Sequence, residues 1–221
     1  RKSFSSRYRV EHFREHLAYI GIASKTLCMY EVDFDKISQY DVISIYRCSD
    51  VNFIKKIAEI TRNNGQKLLY DLDDFIFEYD KISHLNFLKG RDYNDFCAYS
   101  KNICSCMERC DILTASTITL AEEMERKFPN KQIIVHRNAA CMEMQLLSEI
   151  AIDNNDKSSS KKVIMGYFSG SYTHNDDWMM IENVVCDIME RNSCVGLMLV
   201  GALETGIKLS QYEERIMRIP F

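Results

Sequence analysis

The strongest constraint on the fold of this chain is a regular alternation of short apolar runs with amphipathic stretches. Several of the apolar runs are apolar at consecutive positions, as expected for strands that are covered on both faces. We expect strands at 40–47, 67–73, 111–115, 132–136, 163–168 and 195–200. Strands that alternate with helices predict βαβ units, and therefore an α/β fold built on Rossmann-like parallel sheets.

The amphipathic stretches between these runs predict helices. The first covers 6–20, with Ser6 as its N-cap, Gly21 just past its end and an inward face formed by Val10, Phe13, Leu17 and Ile20. A helix at 50–64 has Asp50 as its cap and Gly65 as its stop signal. Further helices are expected at 90–110, 116–127 and 177–191.

A polar segment divides the chain. Residues 153–162 read DNNDKSSSKK, with no apolar anchor, which is typical of a linker. Residues 1–152 hold about four βα units, enough for one Rossmann-like domain that lacks its first strand, and 163–221 hold the first part of a second. Because the chain opens on a helix and ends inside the second domain, we expect it to be a fragment of a longer protein.

Composition narrows the class of protein. The net charge is −4 with both signs interspersed, which disfavours bulk attraction to nucleic acid. A transmembrane helix needs about 20 apolar residues, and the apolar runs are only strand-length. The start has no signal-peptide core, and the nine cysteines lie mostly in apolar patterns, so we expect a reducing cytosol. The spacing of Cys97, Cys104, Cys106 and Cys110 does not match two CxxC pairs, and no metal site is predicted.

The segment 163–178, VIMGYFSGSYTHNDDW, is the strongest local signal. An apolar strand ends in a glycine, and a short polar loop leads into a helix, whose N-terminus favours an anion. We expect a diphosphate at this turn, bound through Gly170, Ser171, Thr173 and His174. The alternative is a plain turn between a strand and a helix, with one capping residue.

A second signal is acidic. Asp71, Asp73 and Asp74 follow the strand KLLY, at the edge of an open α/β sheet where ligands bind. Clustered carboxylates can raise one another's pKa, bind a metal or accept hydrogen bonds from a polyol. Helix capping and a salt bridge to a nearby arginine are an equally good interpretation.

Basic and amide side chains complete a candidate cleft. Arg7 and Arg9 lie at the start of the first helix, where cations are unfavourable unless they serve an anion; a solvated first turn is the alternative. Arg47 ends one predicted strand, and another runs into His136, Arg137 and Asn138. Parallel strands place these residues at one edge of the sheet.

The chain resembles the bacterial group 1 (family 4-like) glycosyltransferases in the order of its motifs. These are SSRYRV, YDVISIYR, KLLYDLDDF, the strand into HRN and the GYFSG turn. The resemblance runs from about residue 5 to residue 201 and is most specific at GYFSGSYTH and YDLDD. It implies a GT-B fold, in which two Rossmann-like domains bind acceptor and nucleotide sugar respectively. That family also has a pair of donor-binding glutamates, which would lie beyond Phe221.

The resemblance also implies roles. Gly170, Ser171, Thr173 and His174 would bind the donor diphosphate without a metal or other cofactor. The acceptor side would be formed by Arg7, Arg9, Asp73 and Asp74, and the strand-end positions of Arg47 and Asn138 add these two residues to it. The choice of Asp74 as the catalytic residue, which would orient the acceptor hydroxyl, is our own hypothesis and not part of what the resemblance implies. The expected partners are a nucleotide-sugar donor and a glycan or lipid-linked acceptor, in the cytoplasm at the inner face of the membrane, for cell-surface polysaccharide synthesis with retention of configuration.

Two other functions stay open on the sequence. A magnesium-dependent phosphatase of the haloacid dehalogenase type would use Asp71 as nucleophile and Asp73 as acid/base, with Thr114 or Ser116 on the next strand. A receiver-like binding module would use the acidic edge without turnover. Magnesium dependence separates the phosphatase from the glycosyltransferase.

Overall fold

The computed structural model describes residues 4–83, 93–153, 162–170 and 174–220. The chain divides into two compact units, Arg1–His84 with Asp92–Ala151, and Leu85–Arg91 with Ile152–Phe221. Each unit is built on a parallel β-sheet with helices, which confirms the α/β, Rossmann-like class. Apart from Asp153 and Lys162, the segment 153–162 that we interpret as a linker lies outside the described residues.

The first unit contains a four-stranded sheet in which each strand pairs in parallel with the next along the chain. Its strands are β1 (Val42–Tyr46), β2 (Lys67–Leu72), β3 (Ile112–Ala115) and β4 (Gln132–Val135). All four were predicted, with nearly the same ends. Since the order is β1-β2-β3-β4 and every pair is parallel, the residues that follow the four strands share one edge.

Helices cover this sheet. α3 (Val51–Asn63) begins at Asp50, whose carboxylate accepts hydrogen bonds from the Asn52 and Phe53 N–H groups, and its end is followed by Gly65 at φ +69°. The other helices of the sheet layer are α4 (Tyr79–Ile82), α5 (Tyr93–Arg109) and α6 (Ile118–Lys127), and α7 (Met142–Asp153) follows the sheet with no buried residue. The most deeply buried core side chains are Ile54, Leu68, Tyr70, Leu72, Ile103, Met107, Leu113 and Met124.

The N-terminal helix, residues 4–19, differs from the predicted one. It consists of α1 (Phe4–Ser6), a π-helical segment (Arg7–Glu11) and α2 (His12–Tyr19). Ser6 as N-cap was wrong, because the helix starts earlier and Ser6 already has helical φ and ψ of −64° and −29°. The predicted apolar face is only half-buried at Val10, Phe13 and Leu17, and it is wrong at Ile20, which is exposed. The buried residues are instead the polar Arg9 and His12.

Several short elements were not predicted. Two 3-10 helices, Met29–Glu31 and Phe34–Gln39, precede β1. α7 carries no buried residue, so no apolar face facing a core marks it in the sequence. No helix among the described residues is long and apolar enough to cross a membrane.

The second unit contains a three-stranded parallel sheet of β5 (Val163–Gly170), β6 (Val195–Gly201) and β7 (Ile216–Ile219), in that order. α8 (Asn175–Arg191) joins β5 to β6, and a 3-10 helix, Ile207–Arg215, precedes β7. We predicted β5, α8 and β6, but no strand where β7 lies. The core consists of Trp178, Cys186, Met189, Val195, Leu197, Leu199 and Leu209.

Candidate functional site

A buried ion pair lies at the carboxyl end of β2. Arg9 Nε donates a hydrogen bond to Asp71 Oδ2 at 2.9 Å, and Arg9 Nη2 donates to Asp71 Oδ1. The Thr114 hydroxyl, from β3, donates to the same Oδ1. The Arg9 side chain is fully buried and that of Asp71 is 7% exposed. A bidentate pair of this kind is strong and geometrically specific.

Arg9 also holds the segment that follows β4. Its Nη1 donates to the His136 carbonyl oxygen and, at 3.1 Å, to Asn138 Oδ1. One guanidinium therefore joins the N-terminal helix to the ends of β2 and β4. All of these contacts are with the protein itself.

His12 and Phe13 attach the N-terminal helix to the same segment. His12 Nδ1 donates to the Ala139 carbonyl oxygen at 3.0 Å, and the Phe13 and His136 rings are 4.6 Å apart. Burial, and then the charge of Arg9, lower the pKa of His136, so its ring is neutral near pH 7. Arg7 is more exposed and pairs with Glu143 of α7 at 3.3 Å.

The acidic residues after β2 have different surroundings. The Tyr46 hydroxyl donates to Asp73 at 3.0 Å, and Arg47 Nη1 lies 3.6 Å from that carboxylate. Burial, and then the charge of Asp74, raise the pKa of Asp73. Asp74 is half-exposed and pairs with Arg47 Nη1 at 2.6 Å. Burial, and then Asp73, raise the pKa of Tyr46 to about 12, so this hydroxyl stays protonated.

Arg47 has an unusual backbone conformation. Its φ is +47°, the only positive φ among the described non-glycine residues. Such a conformation costs of order 1–3 kcal/mol and persists where the surrounding structure fixes it. Here the Arg47 N–H donates to the Asp71 carbonyl oxygen at 3.1 Å, and the guanidinium contacts Asp73, Asp74 and, at 3.4 Å, the Tyr99 hydroxyl.

An open cavity of about 350 Å³ lies at the same sheet edge. It is lined by residues that follow β3 and β4 and by the first residue of α6, namely Ser116, Thr117, Ile118, Arg137 and Asn138. The Ser116 hydroxyl donates to the Asp73 carbonyl oxygen at 3.0 Å, which ties the cavity wall to the acidic segment.

In the second unit, the predicted diphosphate turn follows β5. Gly170 has φ +73°, a conformation that favours glycine, and a Cβ there would meet nothing closer than His174 Cδ2 at 3.9 Å. His174 precedes α8, and its Nδ1 lies 3.0 Å from Asp177 Oδ2. Ser171 and Thr173 lie outside the described residues.

A scan against protein-family models finds no matching family, and a search of curated proteins finds no match. Three solved structures similar to this chain are of Alr3699/HepE from Anabaena. The complex with UDP has a TM-score of 0.44 at 14% identity, covering 85% of this chain and 50% of that one. The complex with UDP-glucose has a TM-score of 0.43 at 14% identity, and the match covers 95% of this chain and 58% of that one. The complex with UDP and glucose has a TM-score of 0.44 at 13% identity, and the match covers 95% of this chain and 59% of that one. The chain thus spans little more than half the length of these proteins.

The structure brings most of the predicted first-unit residues to one region of the molecule. Arg9 and Asn138 meet through a hydrogen bond, and Arg47 contacts both Asp73 and Asp74. Arg7 instead pairs with Glu143 of α7. The ligand-binding roles of Arg7, Arg9, Arg47, Asp73, Asp74 and Asn138 stay predictions.

The sequence analysis did not identify Tyr46 or His12 as site residues, and it did not predict that Arg9 has a structural role. Tyr46 could have been found, since it ends an apolar strand directly before Arg47. Arg9 binds Asp71, which is 62 residues away, and no local pattern contains that distance. Among the described residues, no three His, Cys, Asp or Glu side chains are grouped so that they could hold a metal ion.

Proposed function

We propose that this chain is part of a glycosyltransferase that transfers a sugar from a nucleotide-sugar donor. The observation that carries the proposal is the turn after β5, where Gly170 in a left-handed conformation precedes α8. Free N–H groups at a helix start and the helix dipole both favour the leaving diphosphate. His174, half-exposed and directly before α8, donates Nδ1–H to Asp177 Oδ2, so in its imidazolium form it offers Nε2–H to the diphosphate as a further donor.

The first unit would bind the acceptor. Asp74 is the exposed carboxylate of the acidic pair, and Arg47 fixes its position. We propose that Asp74 orients the acceptor hydroxyl while the donor site stabilises the departing diphosphate, so that positioning and electrostatics supply the rate enhancement. In a complete enzyme, an Asp74→Asn variant with unchanged turnover would remove this role from Asp74.

The finer proposal follows the family resemblance. The acceptor is a glycan or lipid-linked sugar, the product belongs to cell-surface polysaccharide synthesis, and configuration is retained. The reaction takes place in the cytoplasm, with peripheral contact at the inner face of the membrane. It needs no metal or other cofactor.

The phosphatase alternative loses support on one observation. Its nucleophile would be Asp71, whose two carboxylate oxygens are occupied by Arg9 and Thr114 in a buried position. A nucleophile must reach a substrate atom, and both oxygens of this buried carboxylate already accept hydrogen bonds from side chains of the same unit.

Calorimetry with UDP-, GDP- and dTDP-sugars, with and without chelator, tests the proposed function on the full-length protein. UDP-glucose, a ligand in one of the similar solved structures, is the first probe. We expect saturable binding of one nucleotide sugar that survives chelation. His174→Ala should weaken it about tenfold, the worth of one hydrogen bond to a charged group. His16→Ala, an exposed histidine of α2, is the matched control. Magnesium-dependent phosphate release without nucleotide binding would refute the proposal.

A further inference from the structure

The cavity beside β3 and β4 contains a cation, Arg137, that has no partner in the part of the chain that the structure describes. Arg137 is exposed, lines the cavity, and makes no hydrogen bond or ion pair with the described residues. The five residues that line the cavity include no acid. An arginine in a concave site without a carboxylate partner is suited to an anionic ligand.

The backbone on both sides of Arg137 is fixed from the interior. The preceding carbonyl, of His136, accepts from the fully buried Arg9. The carbonyl of Ala139 accepts from His12, which is 8% exposed. Two buried side chains thus hold an otherwise irregular segment, so that Arg137 and Asn138 are preorganised at the cavity wall.

Neighbouring polar groups also present donors. Asn138 Oδ1 accepts from Arg9 at 3.1 Å, so its amide nitrogen is the end left to donate. Thr117 Oγ1 accepts from the Leu120 N–H at 3.1 Å and keeps its own proton available. The wall therefore combines one positive charge with two neutral donors.

We propose that this cavity binds a phosphate group, with Arg137 as the principal ligand-binding residue and Asn138 and Thr117 as supporting donors. Phosphate suits the set because it offers several strong acceptor oxygens to a guanidinium fork. The assignment of this phosphate to a lipid-linked acceptor rests on the proposed function; phosphate binding itself does not.

Calorimetry of the full chain at low salt, with inorganic phosphate, farnesyl phosphate and farnesol as probes, tests the proposal. We expect at least one of the two phosphates to bind and farnesol to fail. Arg137→Gln should weaken binding about tenfold or more, since it removes a charge-assisted hydrogen bond. Arg62→Gln, an exposed arginine at the end of α3, makes the same charge change elsewhere and should bind as the wild type does.

Tight binding of farnesyl phosphate alone identifies a lipid-linked phosphate, and equal binding of both phosphates identifies a site for free phosphate; each supports the cavity. The proposal is overturned if neither phosphate binds, if farnesol binds as well as its phosphate, or if Arg137→Gln and Arg62→Gln behave alike. A loss caused by His174→Ala but not by Arg137→Gln also overturns it. Failure of all the UDP-, GDP- and dTDP-sugars to bind, with phosphate binding intact, rejects the proposed function alone.

Discussion

Three aspartates within four positions have three different electrostatic environments. The charge of Asp71 is compensated by a buried guanidinium, and Asp74 is half-exposed beside Arg47. Asp73 has an intermediate environment: it is partly buried, it accepts a hydrogen bond from the Tyr46 hydroxyl, and its pKa is raised. Desolvation, together with the charge of Asp74, destabilises the ionised form of Asp73 by more than Tyr46 and Arg47 stabilise it. Such a residue is retained at the expense of stability, which is typical of functional sites.

Asp73→Asn should therefore stabilise the chain at neutral pH. The pKa of Asp73 is raised above its ordinary value of 3.8, so the folded state binds this proton more tightly and loses stability as pH rises from 3.8 through the folded pKa. Asparagine has no charge to desolvate and keeps an oxygen for the Tyr46 hydroxyl. Urea unfolding should show the gain at pH 7 and little difference near pH 4. A loss of stability at pH 7, or a gain that does not depend on pH, would contradict the electrostatic explanation.

The Arg9 and Asp71 pair makes the opposite prediction. Arg9→Met should cost about 3–5 kcal/mol, because it leaves the Asp71 carboxylate buried with only the Thr114 hydroxyl to bind it. In the double variant Arg9→Met/Asp71→Leu the uncompensated charge is gone, so we expect much of the loss to be recovered. Urea unfolding of the two single variants and the double gives the coupling. Additive costs would show that the charge pair is not the cause.

At the scale of elements, the N-terminal helix shows where sequence periodicity fails. A π-helical segment interrupts it, and its buried positions are the polar Arg9 and His12. Periodicity assigns burial to apolar residues, and it misses a polar residue whose partner lies far along the chain. The six predicted strands and the cap at Asp50 could be found because they depend on neighbouring residues alone. β7 (Ile216–Ile219) was missed because Arg218 interrupts its apolar run and because it follows the 3-10 helix Ile207–Arg215 with no turn signal between them.

In the second unit, α8 and the following 3-10 helix are joined by a buried carboxylate. Glu182 Oε2 accepts from Trp178 Nε1 at 2.6 Å and from the Gly206 N–H at 2.8 Å, where the 3-10 helix begins. A Cβ on Gly206 would collide with the Glu182 carboxylate. A side chain at this position would therefore have to displace the Glu182 carboxylate, whereas the backbone does not require glycine, since its φ is −73°.

Gly206→Ala should cost about 1–3 kcal/mol by overpacking and should displace Glu182 from the indole. Trp178 is the only tryptophan, so its emission reports this contact directly. We expect a changed emission maximum and a lower urea midpoint. Glu182→Gln keeps a single oxygen able to accept both N–H groups and should leave the emission closer to that of the wild type. Unchanged fluorescence and stability in Gly206→Ala would show that the carboxylate moves aside freely.

At the scale of the whole molecule, the candidate sites could be predicted only in part. The edge of the first sheet was foreseen because parallel strands place their carboxyl ends together, and Arg47, Asp73 and Asp74 do meet there. The cavity was not foreseen as a cavity, since its walls come from the ends of β3 and β4, about twenty residues apart in sequence. Its shape depends on Arg9 and His12, which hold the post-β4 segment through contacts that no sequence pattern describes.

All nine cysteines are free thiols, and they are distributed over both units, so their reactivity reports on the folding of each unit. Cys28 in the first unit and Cys194 in the second are exposed. Burial raises the pKa of Cys106 and Cys110 to about 12, and it also raises that of Cys186. Since the thiolate is the reactive form, a raised pKa and burial both slow modification.

Titration of the native protein with an aromatic disulfide reagent near pH 8 should therefore show a fast phase from the two exposed thiols. The buried thiols Cys106, Cys110 and Cys186 should react only as their own unit unfolds in urea. Mass spectrometry of the labelled sites therefore follows the unfolding of the first unit through Cys106 and Cys110, and that of the second unit through Cys186. Cys28→Ser and Cys194→Ser should each remove half of the fast phase. Rapid labelling of Cys106 or Cys110 without denaturant would mean that the core of the first unit opens far more readily than its burial implies, because modification would then track the population of open molecules.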